Sequence, residues 1–128
     1  MMFVDTNVLV YAVGGPHPLR DAARAFFEES LATSRPLATS AEVLQELMHV
    51  YLPVGRLATL DAALTLAASL IPTVWAVEPD DVLLARALAD VYRGLGARDL
   101  LHLACCRRRQ AQAIKTFDRA LVAAFEAS

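Results

Sequence analysis

Short apolar runs alternate along this chain with longer segments in which apolar residues recur every three or four positions. The short runs predict four strands, at residues 1–4, 36–39, 73–77 and 112–116. The longer segments predict amphipathic helices, whose apolar faces include Leu19, Ala22, Ala23, Phe26, Phe27, Leu31, Val43, Leu44, Leu47, Val50, Leu57, Leu60, Leu64 and Ala67. Strands that alternate with helices favour an α/β fold with a parallel sheet.

Prolines and polar residues mark the expected ends of these helices. Pro16 and Pro18 precede one helix, and Ser40 is placed to cap the next. Pro72 ends a helix, and Pro79 begins another that we expect to run to about residue 94. The last helix is expected over residues 119–126.

Length and composition predict one domain over residues 1–128. The chain is 56% hydrophobic and 20% charged, with a formal net charge of -2, so it can bury a core and lacks the bulk positive charge of many nucleic-acid-binding domains. Cys105 and Cys106 are neighbours on a predicted helix, which favours buried thiols in a reducing cytoplasm. The longest uncharged stretch, 62–77, is shorter than the ~20 residues of a membrane helix, so we expect a soluble protein.

Four acidic residues stand where predicted strands meet helices or in the helices themselves: Asp5, Glu46, Asp99 and Asp118. Asp5 ends the first predicted strand, and Asp118 follows the last. The carboxyl ends of parallel strands share one edge of a sheet, where ligands bind in open α/β folds. The sequence therefore predicts that these carboxylates converge, as hard divalent cations require.

Each acid also has a structural explanation when it is taken alone. Asp5 and Asp118 could cap the helices that follow them. Asp99 could stabilise its helix from the first turn, and Glu46 could belong to a solvated stripe with Glu42. The four acids therefore indicate a site only when they are taken together.

Four segments together resemble the motifs of PIN-domain ribonucleases, and in particular the VapC toxins of bacterial and archaeal type II toxin-antitoxin pairs. The resemblance covers nearly the whole chain in order, through Val4-Asp5-Thr6-Asn7-Val8-Leu9, Ser40-Ala41-Glu42-Val43-Leu44-Gln45-Glu46, Arg98-Asp99-Leu100-Leu101-His102-Leu103-Ala104 and Lys115-Thr116-Phe117-Asp118. It implies a three-layer α/β/α fold around a parallel sheet of four or five strands.

The resemblance also implies a metal site and a reaction. The motif acids fall on Asp5, Glu46, Asp99 and Asp118, which would bind Mg²⁺ or Mn²⁺, while Thr6, Asn7 and Thr116 would orient ligands or water. Glu42 is an ambiguity, because it lies one helical turn from Glu46. The implied activity is RNA hydrolysis by a metal-activated water, leaving a 5′ phosphate and a 3′ hydroxyl. The implied partners are an RNA substrate, a cognate antitoxin protein and a second copy of the chain in a homodimer.

Two other functions fit parts of the pattern. In an aspartyl-phosphate phosphohydrolase of the haloacid dehalogenase type, Asp5 would be the nucleophile, supported by Thr39 or Ser40, Lys115 and Asp118. Asn7 stands where that chemistry needs an acid. A PIN-like module that binds RNA or protein without cutting is the other alternative, and the complete set of acids speaks against it.

Two further features are open at the level of sequence. The run Arg107-Arg108-Arg109 either ends a helix in solvent or binds phosphates. His102 lies three residues after Asp99 on the same helix face; we favour a structural histidine, and the alternative is a residue that contacts substrate or supports the metal ligands.

Overall fold

A computed structural model describes residues 1–127 of the chain. Within that range the elements are β1 (Met2–Val4), α1 (Thr6–Val13), α2 (Arg20–Ala32), β2 (Leu37–Ser40), α3 (Ala41–Tyr51), α4 (Leu57–Leu70), β3 (Thr73–Trp75), α5 (Pro79–Ala89), α6 (Ala97–Arg108), β4 (Ala113–Lys115) and α7 (Arg119–Glu126). The α/β class predicted from the sequence is confirmed.

The strands form one parallel sheet in the order β3-β2-β1-β4. Met2 pairs with Leu37 of β2 on one side, and Val4 pairs with Lys115 of β4 on the other. The first strand of the chain therefore lies between the second and the last. This order brings the carboxyl ends of β1 and β4 side by side.

Helices cover both faces of the sheet and give it three layers. Helices α1 to α4 contribute to one apolar cluster with Phe3 and Val4, and helices α5 to α7 contribute to a second. Ile114 of β4 packs against both clusters. The predicted layered architecture is confirmed, with four strands in the sheet.

Some predicted boundaries and faces were wrong. The third strand ends at Trp75, because the carbonyl of Ala76 accepts a hydrogen bond from Arg109. Helix α5 ends at Ala89, and the following residues form turns. Four residues assigned to apolar helix faces are exposed, namely Ala22, Leu31, Val50 and Leu57.

A cluster of opposite charges, here called the arginine latch, joins α5 to the end of α6. It consists of Asp81, Arg108 and Arg109. The Asp81 side chain is fully buried, and one carboxylate oxygen lies 2.7 Å from a nitrogen of each arginine. The guanidinium of Arg109 also lies over the ring of Trp75. Two arginines of the run thus bind the protein's own carboxylate, and the third, Arg107, donates a hydrogen bond to the hydroxyl of Tyr92.

Cys105 and Cys106 are buried free thiols, as expected, and burial raises the pKa of Cys105 to about 11. Among residues 1–127, no helix has both the length and the apolar character needed to cross a membrane.

Candidate active site

A pocket of about 620 Å³ lies at the carboxyl ends of β1 and β4, and all four predicted acids line it. We call it the acidic pocket. Its acids come from four places in the chain: the end of β1, the buried face of α3, the first turn of α6 and the residue before α7. The convergence arises from the strand order, which places Asp5 beside the segment that follows β4.

Asp5 and Glu46 form the inner half of this pocket and are buried. Asp5 caps α1, because its Oδ1 accepts a hydrogen bond of 2.7 Å from the backbone N–H of Thr6. The hydroxyl of Thr6 in turn donates to Oε2 of Glu46 at 2.6 Å. Thr6 therefore connects the two inner carboxylates through its backbone and its side chain.

Thr116 and Asn7 extend this hydrogen-bond network toward Asp118. The Thr116 hydroxyl donates to Oδ2 of Asp5 at 2.7 Å and accepts from the backbone N–H of Asp118 at 3.1 Å. The Asn7 amide donates to Thr116 and accepts from the N–H of Phe117, both at 3.2 Å. The chain segments that carry Asp5 and Asp118 are thus fixed to each other.

His102 lies beneath the inner half and is 1% exposed. Its Nε2 is 2.7 Å from Oε1 of Glu46 and 3.5 Å from Oδ1 of Asp5. Burial alone lowers the pKa of the His102 ring, but the carboxylates of Glu46 and Asp5 outweigh burial, so the pKa is raised. Burial alone raises the pKa of Glu46, and the proximity of His102, followed by Thr6 and Arg98, outweighs it. His102 thus supplies partial positive charge to this half of the pocket.

Asp99 and Asp118 form the outer half, and residues 1–127 provide no such donor network around both acids. Asp118 caps α7 through Oδ1, which accepts from the N–H groups of Ala120 and Leu121. Partial burial, together with the nearby carboxylates of Asp118 and Asp5, raises the pKa of Asp99 to about 6. The structural roles suggested for Asp5 and Asp118 as caps are therefore real, and the same side chains line the pocket.

The donor set fits a divalent cation. Asp5, Glu46 and His102 each offer a ligand atom, and these atoms lie within 4.8 Å of one another. Within residues 1–127, neither lysine nor arginine forms an ion pair with any of the four acids. Carboxylate oxygens are preferred ligands of Mg²⁺ and Mn²⁺. A bound cation would relieve the repulsion among the acids.

The structure separates the remaining candidates. Glu46 lines the pocket, whereas Glu42 is half-buried one helical turn earlier and is not among the lining residues. Arg98 lines the pocket. Of the residues needed by the phosphohydrolase alternative, Thr39 donates to the carbonyl of Val4 and Lys115 lies over the ring of Phe117. Those contacts place both outside the pocket lining.

Sequence reasoning gave too little weight to two residues. His102 was interpreted as structural, and the available signal was its position one turn after Asp99. Tyr11 was not considered, although it lines the pocket from α1. Its signal was a spacing of four residues from Asn7, which puts both on the same face of α1.

Comparison with known proteins gives a family match over nearly the whole chain. The model of the PIN domain family matches residues 2–125. Ribonuclease VapC23 of Mycobacterium tuberculosis is 58% identical over 125 residues, which cover 98% of each chain. Ribonuclease VapC13 of the same species is 34% identical over 119 residues, covering 93% of this chain and 91% of that protein.

Solved structures agree on the fold. Mycobacterium tuberculosis VapC20, described as a sarcin-ricin loop cleaving toxin, superposes with a TM-score of 0.74 at 22% identity, covering 97% of this chain and 95% of that one. A chain of VapBC2 from Rickettsia felis, solved bound to a DNA fragment from its promoter, gives a TM-score of 0.68 at 21% identity, with coverage of 90% and 86%. At these identities the likeness concerns the fold.

Proposed function

Because this chain belongs to the PIN domain family, and within it to the VapC ribonucleases, we propose that it is a metal-dependent endoribonuclease whose active site is the acidic pocket. One observation carries the assignment of the site. Four carboxylates from separate elements converge there without a lysine or arginine ion pair among residues 1–127. Such a concentration of negative charge is costly unless a cation or protons neutralise it.

Asp5, Glu46, Asp99 and Asp118 are the residues that would hold Mg²⁺ or Mn²⁺. A bound cation would supply Lewis-acid chemistry for the hydrolysis of a phosphodiester by water. Because Thr6 and Thr116 each donate to an inner carboxylate, they fix the orientation of these oxygens before any ligand arrives. Each carboxylate oxygen retains a lone pair for a ligand bond.

Arg98 is the residue placed to receive the substrate's phosphate. It lines the acidic pocket next to Asp99, and its side chain is exposed. A guanidinium binds phosphate oxygens through paired hydrogen bonds. Binding a phosphate at this position orients the scissile bond toward the carboxylates without placing positive charge between them.

The test compares wild type with Asp5→Asn on single-stranded RNA in Mn²⁺, Mg²⁺ or EDTA. We expect metal-dependent cleavage that leaves 5′ phosphates, and a loss of about a thousandfold in the variant, since Lewis-acid stabilisation is worth several kcal/mol. Asp61→Asn, at an exposed position on α4, is the matched control and should cleave like wild type. Equal cleavage by Asp5→Asn and the control would overturn the site assignment.

We also propose a cognate antitoxin, a homodimer and a cytoplasmic location, as in toxin-antitoxin pairs. The acidic pocket supports the antitoxin, because an arginine from a partner would neutralise it as a cation does. Exposed apolar side chains such as Leu31, Leu83 and Val91 support further contacts with protein. Light scattering on the purified chain tests the dimer, and inhibition of cleavage by the product of an adjacent small gene tests the antitoxin.

A further inference from the structure

A second cavity, of about 310 Å³, adjoins the acidic pocket. We call it the side cleft. It lies between the loop after α1 and the end of α3, and it shares Val10, Tyr11 and Val50 with the acidic pocket. Because three side chains form walls of both cavities, a chain-like ligand that enters one can continue into the other.

The side cleft presents an aromatic surface that is already ordered. The rings of Tyr11 and His17 are stacked with centroids 4.3 Å apart and an interplanar angle of 21°. Nδ1 of His17 accepts a hydrogen bond from the backbone N–H of Leu19 at 3.0 Å, which fixes the imidazole. Phe117, the residue before Asp118, meets the edge of Tyr11 at 5.7 Å. The stack of Tyr11 and His17 thus packs against the segment that carries Asp118.

A cation completes the side cleft. Arg56 lines it and lies over the ring of Tyr51 at 5.9 Å, and its guanidinium is exposed. It forms no ion pair with an acid among residues 1–127. His17 is the exposed aromatic ring of the side cleft, and an exposed aromatic face beside an arginine is the type of surface that holds unpaired bases of single-stranded nucleic acid.

From these contacts we propose that the side cleft is a base-binding subsite, in which an unpaired RNA base next to the scissile phosphate stacks on the exposed imidazole of His17. The proposal rests on the function proposed above and names the form of substrate that the same site takes. RNA with splayed bases can place one base here while its phosphate lies in the acidic pocket. A base held in a duplex cannot reach the imidazole, because its faces are covered by its neighbours.

The experiment is a cycle that combines protein variants with abasic RNA. Short single-stranded oligonucleotides carry one abasic residue at each position flanking the cleaved bond, and kcat/KM is measured with wild type and His17→Leu. At one flanking position we expect an abasic residue to lower the wild-type value about tenfold, the effect of losing a base–aromatic stack. His17→Leu should lose the same factor on intact RNA, and the abasic residue should then cause no further loss.

Two more variants separate stacking from other effects. His17→Phe keeps a flat ring and loses the hydrogen bond to Leu19, as His17→Leu does, so it should restore most of the activity. His49→Leu removes an exposed histidine of α3 that lines neither cavity and should match wild type. The subsite would be overturned if the losses in kcat/KM from His17→Leu and from the abasic residue multiplied. It would also be overturned if no flanking position were sensitive to an abasic residue.

Failure of the subsite can be told apart from failure of the ribonuclease assignment. If wild type cleaves and Asp5→Asn does not, while His17→Leu behaves like wild type, only the subsite is wrong. If no RNA is cleaved, the ribonuclease assignment fails, and the same cycle is run on oligonucleotide binding measured by fluorescence anisotropy. Non-additive losses in binding at one position would then support the base subsite, and additive losses would overturn it.

Discussion

Two regions of this protein bury carboxylates, and they differ in the source of the balancing positive charge. In the arginine latch, Asp81 is enclosed by two guanidinium groups and the backbone N–H of Glu78. In the acidic pocket, four carboxylates face one another, and none of them forms an ion pair with a lysine or arginine among residues 1–127; His102 lies at the inner end, and Arg98 lines the pocket unpaired. The negative charge of Asp81 in the latch is balanced by the protein's own arginines, whereas the carboxylates of the acidic pocket need a cation from a ligand or partner.

The pKa values record this difference. Burial alone raises the pKa of Asp81, but hydrogen bonds from Arg109, Glu78 and Arg108 outweigh it, so the pKa is far below its ordinary value. At Asp99, burial and the neighbouring acids act in the same direction and raise the pKa to about 6. The pKa values of two carboxylates of one small protein are thus shifted in opposite directions, that of Asp81 by bound arginines and that of Asp99 by burial and neighbouring acids. Charge supplied by the chain stabilises structure, and charge left unbalanced creates a site for a ligand.

The largest expected effect comes from breaking the latch. Asp81→Asn leaves two guanidinium groups beside a buried neutral amide, so we expect the free energy of unfolding to fall by about 3–5 kcal/mol. Urea denaturation measures the change, and Asp61→Asn, at an exposed position on α4 outside the latch, should shift the free energy of unfolding by less than about 0.5 kcal/mol. Equal effects of the two variants would show that the latch does not stabilise the fold.

Next in size is the response of the acidic pocket to metal. At about a hundred times its dissociation constant, Mn²⁺ should raise the free energy of unfolding by about 2.7 kcal/mol, through binding to the folded state alone. Thermal denaturation with and without Mn²⁺ measures this increment. Asp81→Asn should retain it, since the latch lies outside the pocket, and Asp5→Asn should lose most of it. An unchanged unfolding temperature in Mn²⁺ would contradict the inference that the acidic pocket binds a cation to balance its charge.

A smaller effect should follow from replacing His102, which orients Glu46 from beneath. His102→Leu keeps a buried side chain of similar bulk and removes the group 2.7 Å from the Glu46 carboxylate. We expect about a tenfold weaker affinity for Mn²⁺, as for other residues that orient metal ligands, measured by titration calorimetry. An unchanged affinity for Mn²⁺ in a stably folded variant would show that His102 only packs in the core.

The smallest effect concerns Asp99 in metal-free protein. Its raised pKa means that the folded state binds more protons than the unfolded state between the ordinary carboxyl value of about 4 and about 6. Stability must then fall as pH rises through this window. Asp99→Asn should remove that slope and gain about 1 kcal/mol at pH 7, after allowance for solvent screening. Unfolding of wild type and of Asp99→Asn in EDTA at pH 4 and pH 7 measures this slope. Equal changes in stability between the two pH values in both proteins would show that Asp99 does not cause it.

Local sequence signals predicted the elements well because helix ends depend on nearby residues. Ser40 caps α3 and Pro79 begins α5, as expected from their own chemistry. The apolar face of a helix is also local, but its burial depends on whether another element covers it. Leu31 therefore fitted the periodic pattern and yet is 70% exposed.

The candidate site was predictable where strand ends were informative and where the motifs resembled a known family. Asp5 and Asp118 could be brought together from the rule for parallel sheets, which needs no side-chain detail. The contact between His102 and Glu46 joins residues 56 positions apart on two helices, and no local pattern reports it. The partners of Arg108 and Arg109 were hidden in the same way, because Asp81 lies on another helix.

The position of β1 between β2 and β4 also has a consequence for synthesis on the ribosome. Asp5 is made 111 residues before Thr116, which donates a hydrogen bond to it, and likewise before β4 and its neighbour Asp118. A nascent chain that stops before β4 has neither. The acidic pocket therefore forms only after β4 and Asp118 have been made, so products that stop before β4 cannot assemble it.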